Sequence, residues 1–382
     1  MDSPENKFCR YALLLISAFI TMPTEAQEMN QQPQGRDMAP HDMSLHGGHD
    51  MGAAAAHLHH GHGEGGWMIS YSFMSMSMDG LLDGNKDVDS DVISGTTMDT
   101  ASNRTVTAGR DYMMAPTAMS MNMHMLMGMY GITEQLSMMV MINYLSNDMD
   151  MIMHMTMDGG VQTQMKGAMS TSGLGDGLLG LMYAVRPGIT ASLGLSIPTG
   201  SINENVDMNM NGTNPADGMS INVNILDQQA PYAMQLGSGS VDLIPAVTYK
   251  DRYGHIAWEV QGEYVYRSGE NGNEYTLGNQ FKLDLLGKLT VFPFLVGTGR
   301  LRYLNWDSMD GRDPDINPMM SPAGDPDASG GTRTDFMIGM IGRFSEGHAM
   351  SFEVGIPVQQ DLNGPQMKTD MVFGLKYQFT GR

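Results

Sequence analysis

Met119-Ser120-Met121-Asn122-Met123-His124-Met125-Leu126-Met127-Gly128-Met129 carries methionine at every second position. An extended chain sends alternate side chains to opposite faces, whereas a helix needs a period near 3.6, so the segment reads as a strand with a methionine face. The pattern returns at Met149–Met157, with Asp150, Ile152, His154 and Thr156 between the methionines, and in Met74, Met76 and Met78. Such faces have to meet lipid, a protein core or a soft metal.

Outward from this stretch, the chain after Trp67 divides into short alternating segments. Twelve strands are expected, at 67–79, 110–130, 133–157, 161–185, 188–198, 239–250, 254–268, 278–291, 294–307, 332–344, 348–357 and 368–379. Several alternate apolar with charged residues, as in Ile256, Trp258, Val260, Tyr264 and Tyr266 against His255, Glu259, Gln261, Glu263 and Arg267. Phe281, Leu283, Leu285 and Leu289 stand likewise against Gln280, Lys282, Asp284 and Lys288. Connections alternate too. Short ones, such as Arg186-Pro187-Gly188 and Ser345-Glu346-Gly347, separate long ones at 80–109, 199–238, 269–277, 308–331 and 358–367.

Short turns at one end, long loops at the other and an even strand count describe an outer-membrane barrel, with both termini in the periplasm. A soluble sandwich would share the alternation without needing the alternating loop lengths. The expected fold is all-β, an antiparallel transmembrane β-barrel of about 12 strands behind a disordered N-terminal tail. The 7% aromatic content is low for a barrel with aromatic girdles.

The chain has 382 residues, one cysteine and a formal charge of -21. That balance argues against a nucleic-acid partner, which needs clustered Lys and Arg. Lys7 and Arg10, an apolar run from Tyr11 to Ile20 and small residues around Ala26 predict a signal peptide over residues 1–26. Removal of that segment takes Cys9 with it and leaves neither disulfide nor thiolate site. No later stretch has the ~20 apolar residues of a spanning helix, so a membrane form must be a closed sheet.

Residues 27–66 read as a disordered periplasmic tail and 67–382 as the barrel. The tail holds His41, His46, His49, His57, His59, His60 and His62 beside Met29, Met38, Met43 and Met51. Imidazole takes copper, zinc or nickel and thioether adds affinity for Cu(I), so the tail is expected to contact a metal, Cu(I) or Cu(II) among the candidates, whose identity these residues do not set. In the barrel, polar-inward alternation puts the charged faces of 254–268 and 278–291 in the lumen. The same rule turns the methionine face to lipid and His124 and His154 inward. Stacked on neighbouring strands ~4.8 Å apart, Met121, Met123 and Met125 could alternatively give thioethers to a soft metal. Asp83, Asn85, Asp87 and Asp89 follow the start of an EF-hand loop, but Val88 and Ser94 stand where Gly and Glu belong. Weak Ca²⁺ on such acidic loops, and on Asp307, Asp310, Asp313 and Asp315, is the remaining metal reading beside ordinary turn chemistry. No G-x-S-x-G, H-E-x-x-H or phosphate loop is present, and no enzymatic activity is expected.

The blocks Gly66-Trp67-Met68-Ile69-Ser70-Tyr71, Leu193-Gly194-Leu195-Ser196-Ile197-Pro198-Thr199-Gly200-Ser201, Met234-Gln235-Leu236-Gly237-Ser238-Gly239, Asn317-Pro318-Met319-Met320-Ser321-Pro322 and Pro357-Val358-Gln359-Gln360-Asp361 together resemble a family of Gram-negative outer-membrane transporter-like β-barrels, grouped with the putative barrel of the phenol meta-cleavage pathway. The resemblance runs from Trp67 nearly to the C-terminus. It implies an outer-membrane barrel with a transport role; family members often carry His-rich tails and are associated with copper handling. The expected function is a channel or transporter linked to copper or another soft metal. Uptake of hydrophobic aromatic compounds, or a non-conducting metal-binding barrel, are the alternatives. Expected partners are outer-membrane lipid and metal ions or small solutes.

Overall fold

The computed structural model describes residues 63–93, 112–156 and 162–381. The chain opens with β1 (Trp67–Gly84), the short β2 (Lys86–Val88) and one helical turn, α1 (Ser90–Ile93). Then come β3 (Met114–Gly131), β4 (Leu136–Thr156), β5 (Gln162–Leu174), β6 (Gly177–Arg186) and β7 (Ile189–Ile197). The first long loop carries the hairpin β8 (Asn205–Thr213) and β9 (Ser220–Gln229). The rest is β10 (Asp242–Tyr253), β11 (Ile256–Arg267), β12 (Tyr275–Thr276), β13 (Gln280–Phe292), β14 (Leu295–Trp306), β15 (Asp310–Gly311), β16 (Gly331–Ser345) and β17 (His348–Gly381).

The sheet closes on itself through β1-β3-β4-β6-β7-β10-β11-β13-β14-β16-β17 and back to β1. Every strand pairing in that ring is antiparallel. The eleventh element makes two passes: residues 348–362 pair with β16 and residues 362–381 with β1. The wall is therefore crossed twelve times among the described residues. Closure leaves no edge in the bilayer, where an unpaired N–H or C=O would go unsatisfied.

Trp67 pairs with both Gly381 and Tyr130, so the two ends of the barrel chain lie at the same rim. The short turns gather there. Gly254 and Gly347 reverse the chain at φ 60 and 78, a region in which a side chain would strain the backbone. Outward positions carry Ile142, Tyr144, Leu181, Val247, Trp258, Leu289, Ile338 and Phe352, all exposed. This apolar coat is what a lipid-facing wall requires. Tyr130, Tyr183, Tyr253, Phe292, Phe294 and Phe344 are exposed near the short-turn rim. A modest aromatic content thus still supplies a girdle at that rim.

Three sequence expectations change. The long loop placed at 358–367 is absent: both passes of β17 run on to a tight reversal at Asn363-Gly364, where Gly364 has φ 83. Gln360 and Thr369 tie the two passes by reciprocal bonds of 2.9 and 3.0 Å. The segment 161–185 is broken at Gly175-Asp176 into β5 and β6, which pair with the upper and lower parts of β4. Asp176 draws the chain in there, accepting from Gly200 N (2.8 Å), Ser238 N (2.9 Å) and Ser238 Oγ (2.6 Å).

The third change concerns the methionines. Met119, Met121, Met123, Met125, Met127 and Met129 point into the barrel and are buried, while His124 and Leu126 point outward. The polar-inward rule presumes a watery lumen. Here the residues between the methionines are matched by Ile69, Tyr71, Ile142 and Tyr144 on neighbouring strands, which belong in lipid, so the methionines take the inside. His124 is accommodated outside by Tyr71, whose hydroxyl lies 2.7 Å from its Nδ1, and by the Phe73 ring at 5.0 Å.

Candidate functional site

The lumen has two unlike walls. On β1, β3, β4 and β5 the inward positions are rich in methionine, and register aligns them across strands: Met78 faces Met119, Met119 faces Met149, and Met149 faces Met169. Below this row, Met76 faces Met121 and Met74 faces Met123. On β10, β11, β13, β14 and β16 the inward positions include many charged residues that pair across strands. Asp284, Arg302 and Asp335 form one cross-strand row, with Arg302 Nε 2.8 Å from Asp284. Arg300 reaches Glu353 at 3.0 Å, Lys282 reaches Glu263 at 2.7 Å, and Arg267 reaches Asp242 at 2.5 Å. Facing residues of opposite charge are the sheet's own way of stabilising a register.

This charged wall stands where the sequence puts it, inward on residues 254–268 and 278–291. The walls meet where Arg333 Nη1 and Thr369 Oγ1 each lie 3.9 Å from Met76 Sδ. At mid-height Met74, Met125, Arg300, Arg302 and Lys376 are all at most 3% exposed. The middle of the lumen is filled with side chains.

A cavity of about 150 Å³ lies at the long-loop end, above that filling. Met78, Met119 and Met121 form part of it from the barrel wall, Met367 and Leu362 from β17, and Trp306 from the end of β14. Arg333, Gln280, Gln360 and Asp325 add a few polar groups. Its cover comes from two 3₁₀ turns, Tyr232–Met234 and Pro322–Gly324, with Tyr232, Ala233, Pro322 and Ala323 lining the space. Ser321 caps the second turn.

Loop-to-loop bonds hold the cover in place. Tyr112 donates to Asp325 at 2.7 Å, Asp313 N donates to the Tyr232 hydroxyl at 2.8 Å, and the Tyr232 and Tyr275 rings meet edge to face at 4.9 Å. Burial pushes both tyrosine hydroxyls above their ordinary value, so both stay neutral. Asp313 also accepts from Gln229 (2.6 Å) and Asn273 (2.7 Å), which assigns it to loop structure.

Of the residues singled out for metal, Met121, Met123 and Met125 share one inward face. His41, His46, His49, His57, His59, His60 and His62 lie outside the described residues. Among the described residues no three His, Cys, Asp or Glu side chains gather as a metal would need. Asp83 and Lys86 close a tight β1–β2 hairpin, and Asp87 pairs with Lys368 at 2.7 Å. The sequence reading missed Trp306, Tyr232, Met309, Met320 and Met367. Tyr232, Met309 and Met320 lie in loops and Trp306 and Met367 near strand ends; for Tyr232 and Met320 the available signal was an apolar residue close to proline in an otherwise polar loop.

No family model and no curated protein matches the chain. Among solved structures it resembles an outer membrane channel from Pseudomonas putida F1, at 14% identity over 83% of this chain and 96% of that one, with a TM-score of 0.50. The P. putida toluene transporter TodX (9% identity, 89% and 100% covered, TM-score 0.49) and the CymD monoaromatic hydrocarbon channel (11%, 84% and 90%, TM-score 0.43) are more distant overlaps. The likeness is one of fold: a closed antiparallel β-barrel of the outer-membrane kind.

Proposed function

We propose that the protein is an outer-membrane channel for small hydrophobic solutes, with monoaromatic compounds as the favoured class. The carrying observation is the loop-end cavity, roofed by Tyr232 and Pro322, walled by Met78, Met119, Met121 and Trp306, and continuous with a methionine wall. An apolar cavity of about 150 Å³ admits benzene. Thioether–ring contacts contribute roughly 0.3–1.5 kcal/mol each. A solute moving inward has to displace side chains. Methionine, unbranched and with three rotors, swings aside at little cost, whereas opening the Asp284–Arg302–Asp335 row leaves buried charge unpaired. The path therefore follows the methionine wall. The rim bearing Trp67 and the short turns faces the periplasm, as in other outer-membrane barrels.

Toluene titrated against the purified protein in detergent, read by Trp306 fluorescence, tests this. Saturable quenching is expected, absent from a Trp306→Phe control and weakened at least about tenfold in Met121→Lys, which puts a cation into the apolar space. A linear response equal to partition into empty micelles would sink the reading.

A further inference from the structure

We infer that a second, smaller cavity is a binding site for a soft monovalent metal ion such as Cu(I). The cavity measures about 30 Å³ and lies among Met114, Met151, Met169, Met208 and Met320. Five of its thirteen lining residues are methionine, in a chain where methionine is 42 of 382, an average that would supply between one and two. The five come from β3, β4, β5, β8 and the 308–331 loop. Sequence periodicity alone would not bring them together.

The backbone makes room for the methionines of β8 beside those of β4 and β5. Gly167 faces Met151 across the β4–β5 pair, between Met165 and Met169. A Cβ there would collide with the Met210 sulfur and crowd Met208 Cγ at 3.3 Å, so the missing side chain is what admits the β8 methionines. On the other side Met114 N donates to Met320 O at 2.8 Å, which fixes the loop methionine against the start of β3.

The chemistry of the lining selects the ion. No carboxylate or imidazole borders the cavity, so a divalent cation would meet no compensating charge beside the neutral Gln228, Gln229, Asn317 and Ser321, while the five thioethers are soft donors suited to Cu(I). Neutral donors leave the ion's charge uncompensated, and burying one charge costs less than burying two. The volume holds a single ion, since one water needs roughly 10–15 Å³ on this measure. Met169 also ends the row Met169–Met149–Met119–Met78, whose last two members line the larger cavity, so thioethers connect the two spaces.

This inference is independent of the solute reading, and its probe is different. Crystals of the full chain soaked in silver nitrate should show an anomalous silver peak amid the five sulfurs; a cavity without silver at saturation overturns the site. In solution, Met151→Leu/Met208→Leu in the full chain should lose one tight equivalent of silver by isothermal titration, or bind it at least tenfold more weakly. Heat-modifiable gel mobility checks that the variant is folded, and Met371→Leu, on the exposed outer face, should titrate like the wild type. Identical isotherms for the double variant and the wild type also overturn the proposal.

Discussion

The two inner walls of this barrel share a backbone and a rule, alternate residues inward, yet they hold themselves together by different physics. On the β1–β3–β4–β5 side, Met78, Met119, Met149 and Met169 meet through dispersion between flexible thioethers, which has no preferred direction. On the β13–β14–β16 side, Asp284, Arg302 and Asp335 meet as buried charges whose partners cannot be exchanged. A buried ion pair adds little net stability but is costly to break. The difference teaches where the lumen can give way. In the channel proposed above, the methionine side is the one that yields and the charged side the one that stays fixed, one wall serving as path and the other as frame.

Breaking the frame should have the largest effect. Asp284→Ala leaves Arg302 and Arg300 without the carboxylate they share at 2.8 and 3.4 Å, and should cost about 3–5 kcal/mol in urea unfolding from vesicles. On the path side, Met123→Ala should cost roughly 2–5 kcal/mol through the void it leaves, while Met123→Leu should cost under about 1.5 kcal/mol. If Asp284→Ala proves as mild as Met123→Leu, the contrast between the walls is wrong.

Two smaller effects sharpen the comparison at the cover, which is neither frame nor path. Tyr112→Phe deprives the buried Asp325 of its 2.7 Å donor, worth about 1.5–3 kcal/mol, and should speed proteolysis of the 308–331 loop about tenfold or more without moving global unfolding. Tyr275 supplies the smallest effect, seen only in alkali. Its hydroxyl is raised by burial above the ordinary value of 10.0, so its contribution is full below pH 10 and is lost as pH climbs through the higher folded-state value. Tyr275→Phe should flatten the loss of cover protection above pH 10, measured by the same proteolysis.

Much of the barrel was legible in order. Strand periodicity gave the wall segments, and the charged alternation of Glu259, Gln261 and Glu263 gave their inward face. The failures share a cause. The break at Gly175-Asp176 and the reversal at Asn363-Gly364 depend on partners distant in sequence, Ser238 and Gly200 in one case and β16 and β1 in the other. The lining of the larger cavity was hardest to read, because Tyr232, Trp306, Met309 and Met367 reach it from loops and strand ends without shared periodicity.

By itself the sequence determined that this chain is an alternating sheet, twelve passes round, with turns of two lengths and a surplus of thioether. Those properties follow from local chemistry: the period of side chains, the residues that turns demand and the want of any long apolar helix. Only the tertiary structure decided which face of the methionine strands is inside, because alternation is symmetric between its two faces. Neighbouring strands break that symmetry, and closure sets Ile69, Tyr71, Ile142 and Tyr144 toward lipid, which carries Met119 to Met129 into the lumen.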